Sequence, residues 1–136
     1  MRSKVLVVDD DPAIVQLLTS YLEESVEDVR GLSDSRQVEH EFVQFGPDLV
    51  ILDLHMPQPD GFEVLRRLRG LRQSLGFLPV IVVTGDSGHV ARNSALILGA
   101  DEFLLKPVDR DELVLRVRNL LRTRQLFLDS RQAPPD

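Results

Sequence analysis

Short apolar runs in this chain end directly in side chains that could do chemistry. The runs are residues 5–8, 49–52, 80–83 and 103–105. The residues that follow them are Asp9 and Asp10, Asp53, Thr84, and Lys106. In a sheet of parallel strands the carboxyl ends lie along one edge, so side chains far apart in sequence meet in one crevice. That crevice is the predicted active site.

The chemistry of such a crevice follows from its carboxylates. An isolated Asp-Asp pair is ordinarily a solvated loop or a helix cap, but carboxylates gathered at one edge repel and must either protonate or bind a cation. Mg²⁺ suits them because it takes carboxylate, carbonyl and water oxygens and keeps waters that a phosphate can displace. A carboxylate beside the ion can attack phosphorus and form an aspartyl phosphate.

Asp53 is the best candidate for that nucleophile. Asp53 is not needed as the N-cap of the next helix, because Asp60 stands closer to the start of that helix. Phosphoryl transfer needs little from the protein beyond alignment and neutralisation of oxygen charge. The Lys106 ammonium and the Thr84 hydroxyl can supply charge and hydrogen bonds, and a cis peptide bond before Pro107 is one way to aim the lysine into the crevice.

The elements that position these residues are predicted from the apolar pattern. Apolar runs alternate with amphipathic stretches in five βα units, which indicates an α/β fold with a parallel sheet covered by helices on both faces. Runs 5–8, 49–52 and 80–83 are apolar throughout, as expected of strands buried on both faces. Residues 27–32 are polar and broken, which is typical of an edge strand.

Helix ends carry their own signals. Asp11 is a predicted N-cap with Pro12 at the first helical position, and residues 14, 17, 18, 21 and 22 mark the apolar face of that helix. Three pairs have the spacing of capping boxes: Asp34 with Gln37, Asp60 with Glu63, and Asp109 with Glu112. Gly46 and Gly99 are predicted helix stops.

Length and composition set bounds on function. The 136 residues fit one domain, and the absence of cysteine excludes thiol nucleophiles and thiolate metal sites. No stretch approaches the roughly 20 apolar residues of a membrane span, and no signal-peptide core is present, so we expect a cytoplasmic protein without membrane contact. The net charge of −6 argues against nonspecific nucleic-acid binding by this segment.

The residues at the strand ends resemble those of the receiver domain of two-component response regulators. The matching motifs, in the order and spacing of that family, are Val7-Val8-Asp9-Asp10, Asp53-Leu54-His55-Met56-Pro57 with Asp60-Gly61, Val83-Thr84-Gly85, and Phe103-Leu104-Leu105-Lys106-Pro107. The resemblance covers about residues 3–124. It implies a flavodoxin-like fold with strand order 2-1-3-4-5 and a phosphorylation-controlled signalling role, with a sensor histidine kinase or a histidine phosphotransfer protein as phosphoryl donor.

The resemblance also implies roles for the acidic residues. Asp53 is similar to the phosphoacceptor of the family. Asp10 and Asp53, with the backbone carbonyl of His55, are similar to direct ligands of Mg²⁺, or of Mn²⁺ in its place. Asp9 is similar to a ligand that acts mainly through water. Lys106 is similar to the lysine that holds the phosphoryl group.

Two residues resemble a conformational switch. Thr84 is similar to the hydroxyl that moves onto the phosphoryl group, and Phe103 to the aromatic ring that fills the space it leaves; without the resemblance, Phe103 reads as ordinary core. The family reads out the change through helix 4, strand 5 and helix 5, which implies a homodimer through that face. For the apolar residues 96–98 within it, core packing is favoured over a partner surface.

Two other functions are weighed. A phosphatase of the haloacid dehalogenase type wants a second Asp two residues after the nucleophile, where this chain has His55. A binding-only pseudo-receiver usually lacks one of the acids, the hydroxyl or the lysine, and all of them are present here. His55 and Asp86, each two residues after a site residue, stand where receivers set the hydrolysis rate of the acyl phosphate. For the His55 side chain, exposure to solvent is favoured over a chemical role.

The predicted domain spans residues 1–124. Residues 125–136 are predicted to be a helical extension and a proline-containing tail that begins a linker to an output domain. Apolar residues recur every seven positions in two columns, 113, 120 and 127, and 114, 121 and 128. They leave two interpretations open: a frayed terminal helix, or a dimerising or signalling helix.

Overall fold

The computed structural model describes residues 3–75 and 77–132. Strands and helices alternate along the chain, as the apolar pattern predicts. Their bounds are β1 Lys4–Val8, α1 Pro12–Leu22, β2 Asp28–Leu32, α2 Val38–Phe45, β3 Leu49–Leu52, α3 Gly61–Leu75, β4 Val80–Thr84, α4 His89–Ile97, β5 Glu102–Leu105 and α5 Arg110–Gln132. A short 3₁₀ turn, Ser35–Gln37, precedes α2.

The strands form one parallel sheet in the order β2-β1-β3-β4-β5, which confirms the predicted fold. The three fully apolar runs are the three central strands, and the polar run is the edge strand β2. Val8 pairs with Leu52 across β1 and β3, and Leu52 pairs with Val82 across β3 and β4. These strands therefore end level with one another, and the residues that follow them share one edge.

Alternate residues of the central strands feed two separate hydrophobic cores, because successive side chains of a strand point to opposite faces. One core packs against α2, α3 and α4, and its strand residues are Leu6, Val8, Val50, Leu52, Val80 and Val82. The other packs against α1 and α5, and its strand residues are Val5, Val7, Leu49, Ile51, Ile81 and Val83. The sheet is thus held between two apolar layers, which fix the position of the carboxyl ends of its strands.

Most predicted helix ends are confirmed. The Asp11 carboxylate accepts the Ala13 N–H at 2.9 Å with Pro12 at the first helical position. The Asp60 carboxylate accepts the Glu63 N–H at 2.9 Å, and that of Asp109 accepts the Glu112 N–H at 3.0 Å. Gly46 ends α2 with a φ of 65°, a left-handed backbone that glycine adopts freely.

Two local predictions were wrong, and a third holds in part. Asp34 is an N-cap as predicted, but its carboxylate accepts the Arg36 N–H rather than that of Gln37, because it begins the tighter 3₁₀ turn and not an α-helix. Leu17 is 42% exposed, so it lies at the border of the apolar face of α1. Core packing is also wrong for Leu96 and Ile97, which are 40% and 75% exposed. Helices α1 and α4 therefore each bury fewer of their apolar side chains than the sequence pattern suggests.

Helix α5 continues without a break from Arg110 to Gln132, past the predicted boundary at residue 124. Its later turns touch the body of the domain, where the rings of Phe77 and Phe127 lie edge to face with centroids 6.1 Å apart. The predicted proline break at residues 133–135 lies outside the described residues. None of the described helices has the length and apolar character that crossing a membrane requires.

Candidate functional site

Three carboxylates meet at the edge of the sheet formed by the carboxyl ends of the strands, as predicted from the residues that follow those strands. Asp9 and Asp10 follow β1, and Asp53 follows β3; one ligand atom from each lies within 4.8 Å of the others. The neighbouring strands fix this approach, since the Asp53 N–H donates to the carbonyl oxygen of Val8 at 3.0 Å. Asp9 and Asp53 are buried, and Asp10 faces solvent. The cluster is thus open on one side.

Lys106 reaches the same cluster from β5. Its Nζ lies 2.6 Å from Oδ2 of Asp9 and 3.4 Å from Oδ2 of Asp53. Its backbone N–H donates to the carbonyl oxygen of Thr84 at 2.8 Å, and the Lys106–Pro107 peptide bond is cis. The structure therefore brings together four of the predicted site residues.

Burial and charge shift the pKa values of this group in ways that follow from its geometry. Burial raises the pKa of Asp9 above its usual value, against the lowering effect of its hydrogen bonds from Lys106 and Asp11. Burial acts to lower the pKa of Lys106, but the hydrogen bond to Asp9 and the charge of Asp53 outweigh it and raise that pKa. The lysine stays cationic at neutral pH.

The residues present fit a divalent cation. Oδ1 of Asp53 is buried and has no hydrogen-bond partner among the described residues, an arrangement that costs free energy unless a ligand supplies the contact. Within the described ranges three acids face a single ammonium, so the cluster keeps an excess of negative charge. All three side chains offer the oxygen ligands that Mg²⁺ prefers.

Thr84 and Phe103 lie where the sequence places them. Thr84 ends β4 and is 1% exposed, and its hydroxyl oxygen accepts the Asp86 N–H at 3.4 Å. Phe103 in β5 is half-buried and packs against the core on the α2, α3 and α4 side. Thr84 therefore lies at the end of β4, the strand next to β3, whereas Phe103 lies one strand further out in β5 and makes the contact expected of an ordinary core residue.

His55 makes a contact that sequence reasoning missed. Its side chain is 59% exposed, which confirms the expectation of a solvent-facing ring, yet its Nε2 lies 2.6 Å from Oδ2 of Asp86. The Gly88 N–H and this imidazole lower the pKa of Asp86. His55 stands two positions after Asp53 and Asp86 two positions after Thr84, and this shared offset from the residues at two neighbouring strand ends was the signal that could have paired them.

Gly61 was also missed as a positioning residue. A Cβ at this position would lie 2.2 Å from the carbonyl oxygen of Asp53 and 2.5 Å from Cα of Leu54. Its N–H donates to the carbonyl oxygen of Leu54 at 2.8 Å. The start of α3 is therefore packed directly on the backbone that carries the central carboxylate, and only glycine fits there.

Comparison with known proteins points to one family. The sequence model of the response regulator receiver domain matches residues 5–118. Among solved structures, the signal receiver domain of a putative Luxo repressor protein from Vibrio parahaemolyticus superposes with a TM-score of 0.85 at 26% identity, covering 98% of this chain and 100% of that one.

Curated relatives agree. The transcriptional regulatory protein TrcR of Mycobacterium tuberculosis is 37% identical over 119 residues, which cover 88% of this chain and 45% of the relative. The DNA-binding dual master transcriptional regulator RpaA of Synechocystis sp. is 39% identical over 119 residues, with 88% and 49% covered. The chain thus spans about half the length of these relatives.

Proposed function

The chain belongs to the response regulator receiver domain family of two-component systems, and we propose that Asp53 accepts a phosphoryl group from a sensor histidine kinase or a histidine phosphotransfer protein. One observation carries the proposal: Asp53 is a buried carboxylate, one oxygen of which has no partner among the described residues, and it is set between two further acids and the Lys106 ammonium. The cluster around this carboxylate opens to solvent at Asp10, the side from which a phosphoryl group would enter, and the Lys106 ammonium lies beside it.

The metal proposal uses the same acids. Asp10 and Asp53, with the backbone carbonyl of His55, would hold Mg²⁺ or Mn²⁺, and Asp9 would act mainly through water. When bound, the ion offsets the negative charge that the carboxylates and the phosphoryl oxygens bring together. Asp9 is kept in place for this role by the N–H of Asp11, which donates to its Oδ1 at 2.9 Å.

The transfer step follows from the two charged groups. A carboxylate oxygen of Asp53 attacks phosphorus, a P–O bond forms, and the P–N bond of the donor phosphohistidine breaks, leaving the imidazole to take up a proton. Lys106 turns its ammonium from Asp9 toward a phosphoryl oxygen. Hydrolysis reverses the modification when water attacks phosphorus and the Asp53 carboxylate leaves, releasing inorganic phosphate.

The switch proposal concerns Thr84 and Phe103. A phosphoryl group adds about −1.5 to −2 charges and three strong acceptors. The Thr84 hydroxyl gives up the Asp86 N–H, a long contact of 3.4 Å, and donates to a phosphoryl oxygen. Phe103 then turns into the space that Thr84 leaves, and the change reaches a partner or a second copy through α4, β5 and α5. Phosphorylation acts by favouring one of two conformations already available.

The domain proposal keeps residues 1–124 as the phosphoacceptor unit and residues 125–136 as the segment that leads toward an output. The helix supports this segment as a continuous element as far as Gln132. The relatives are named as transcriptional regulators, so control of transcription is the output we propose for a chain of this kind.

Intact mass measurement with acetyl phosphate and Mg²⁺ tests the function. We expect one added phosphoryl group on the wild type, and none on Asp53→Asn or when Mg²⁺ is chelated. Asp28→Asn is the matched control, since Asp28 is an exposed carboxylate at the start of β2, the end of the sheet opposite to the acid cluster, and it should be modified like the wild type. A folded wild type that takes up no phosphate, beside a competent receiver as positive control, would establish a binding-only domain instead.

A further inference from the structure

Helices α3 and α4 leave an apolar groove between them on the surface. We call it the α3/α4 groove; its lining includes Phe62, Arg66, Val90, Ala91, Ser94 and Ile97, and its volume is about 580 Å³. Val90, Ser94 and Ile97 recur at the helical spacing that places side chains on one face. The groove is therefore the exposed side of α4 together with the neighbouring edge of α3.

The two most exposed apolar residues of this groove, Val90 and Ile97, are left out of the core, whereas Phe62 and Ala91 pack against it. Val90 is 81% exposed, the highest value among the large apolar side chains that the structure describes, and Ile97 is 75% exposed. These two residues lie on the same face of α4, two turns apart. Leaving both in water is unfavourable unless a partner covers them. The contrast with Ala95 of the same helix, which is fully buried, shows that the core uses a different stripe.

Positive charges outnumber negative ones beside the groove. Helix α4 contains no Asp or Glu between His89 and Ile97. On α3, Arg66 lies in the lining and Arg69 follows on the same face. Glu63 is shared between Arg66 and Arg67, and Arg69 makes no ion pair within the described part of the chain. The rim is thus positive in a protein whose net charge is −6.

We propose that the α3/α4 groove binds an amphipathic helix of another protein, with apolar residues on one face and acidic residues beside them. An apolar floor of about two helical turns selects a partner with anchors spaced three and four residues apart. The arginine rim selects acidic flanks and rejects basic ones, because like charges at a contact are unfavourable. A second copy of this chain is the competing occupant.

Fluorescence anisotropy with designed peptides tests the chemistry of the partner. The probe is a labelled helix of about 18 residues, five turns, with Leu on one face and Glu on its flanks. The matched peptide has Lys in place of each Glu. We expect the acidic peptide to bind the wild type at least tenfold more tightly than the basic one, and to weaken as salt is raised.

Variants assign the binding to the groove. The double variant Val90→Ser/Ile97→Ser should bind the acidic peptide at least tenfold more weakly, and Arg69→Glu should lose the preference for acidic flanks. The control is Leu115→Ser, which changes a 58% exposed leucine of α5 and should bind like the wild type. Circular dichroism establishes folding, and Arg69→Glu remains decisive if the double variant is unfolded.

Several results would overturn the proposal. These are a wild type that binds neither peptide, equal binding of the acidic and basic peptides, or an equal loss of binding in the Leu115→Ser control. Sedimentation velocity completes the test: self-association that disappears in Val90→Ser/Ile97→Ser would show that a second copy covers the groove. A wild type that stays monomeric leaves the helical partner as the occupant.

Discussion

The imidazole of His55 and the carboxylate of Asp86 lie 2.6 Å apart and join the loops that follow β3 and β4. Asp86 is held from two further directions. Its Oδ1 accepts the Gly88 N–H at 2.8 Å, and its own N–H donates to the Thr84 hydroxyl oxygen at 3.4 Å. The contact therefore connects the loop of the proposed acceptor, Asp53, to the loop of the proposed switch residue.

This contact predicts coupled effects on the aspartyl phosphate. His55→Ala and Asp86→Ala each break the same bridge and open one side of the acceptor to water, so each should shorten the phosphoryl half-life about fivefold, and the double variant should shorten it no further. Intact mass after removal of the donor gives the half-lives. His40→Ala, an exposed histidine of α2, should change nothing. Additive single effects would mean that the two side chains act separately.

Lys106 predicts opposite effects on metal binding and on phosphorylation. Its Nζ holds an oxygen of Asp9 at 2.6 Å, and it is the only cation contacting the acid cluster among the described residues. Lys106→Ala leaves three carboxylates without a counter-charge, so Mg²⁺ should bind several-fold more tightly. Phosphate incorporation should fall at least tenfold, because no ammonium then meets the phosphoryl oxygens.

Isothermal titration calorimetry measures the first effect and intact mass the second. Arg118→Ala is the matched control, since it removes an exposed positive charge from α5 away from the acids. Mg²⁺ binding that is weakened in Lys106→Ala would show that the lysine organises the carboxylates rather than competing for them.

The central part of the fold could be predicted because its signals are local. Uninterrupted apolar runs are the pattern of strands buried on both faces, and β1, β3 and β4 are those strands. The acid cluster followed from the same reasoning, since parallel strands that end level must bring Asp9 and Asp53 together. Nothing beyond the run boundaries and the direction of the strands was needed.

Other features of the fold and the site could not be predicted, because they depend on the distances between helices and between loops. Residue types alone do not determine those distances. Ile97 stands in an apolar run, yet α4 turns that side to solvent, where it is 75% exposed. His55 and Asp86 are 31 residues apart, and their contact requires two loops to lean toward each other. Such distances depend on helix placement and loop conformation, so the sequence suggested neighbours but not contacts.

The close packing at Gly61 predicts that adding a single methyl group there lowers the free energy of unfolding substantially. In Gly61→Ala the new methyl group would lie 2.2 Å from the carbonyl oxygen of Asp53, and backbone must move to admit it. We expect a loss of about 2 kcal/mol or more in the free energy of unfolding, with a parallel loss of phosphate incorporation. Urea denaturation measures the first.

Gly70→Ala is the matched control within the same helix. A Cβ there meets no atom within 4 Å, so alanine should stabilise α3 by about 0.5 to 1 kcal/mol through lower backbone entropy in the unfolded chain. If both variants lose stability alike, the close approach of Gly61 to the Asp53 backbone is not what the position requires.

The contacts of Arg124 predict that the last turns of α5 are held against the domain. Its Nη1 lies 3.0 Å from Oδ1 of Asp48, its Nε donates to the carbonyl oxygen of Phe77 at 3.2 Å, and both partners of the ion pair are largely buried. Asp48 also accepts the Lys4 N–H at 2.8 Å, so removing the arginine leaves a tethered carboxylate without its cation.

Arg124→Ala should lower the free energy of unfolding by about 1 to 2 kcal/mol, whereas Arg122→Ala, an exposed neighbour, should lower it by less than about 0.5 kcal/mol. Hydrogen exchange then reports where the loss falls: amides of residues 125–131 should exchange faster in Arg124→Ala while those of the central strands keep their protection, and unchanged exchange in that segment would mean that the Phe77–Phe127 contact alone secures it.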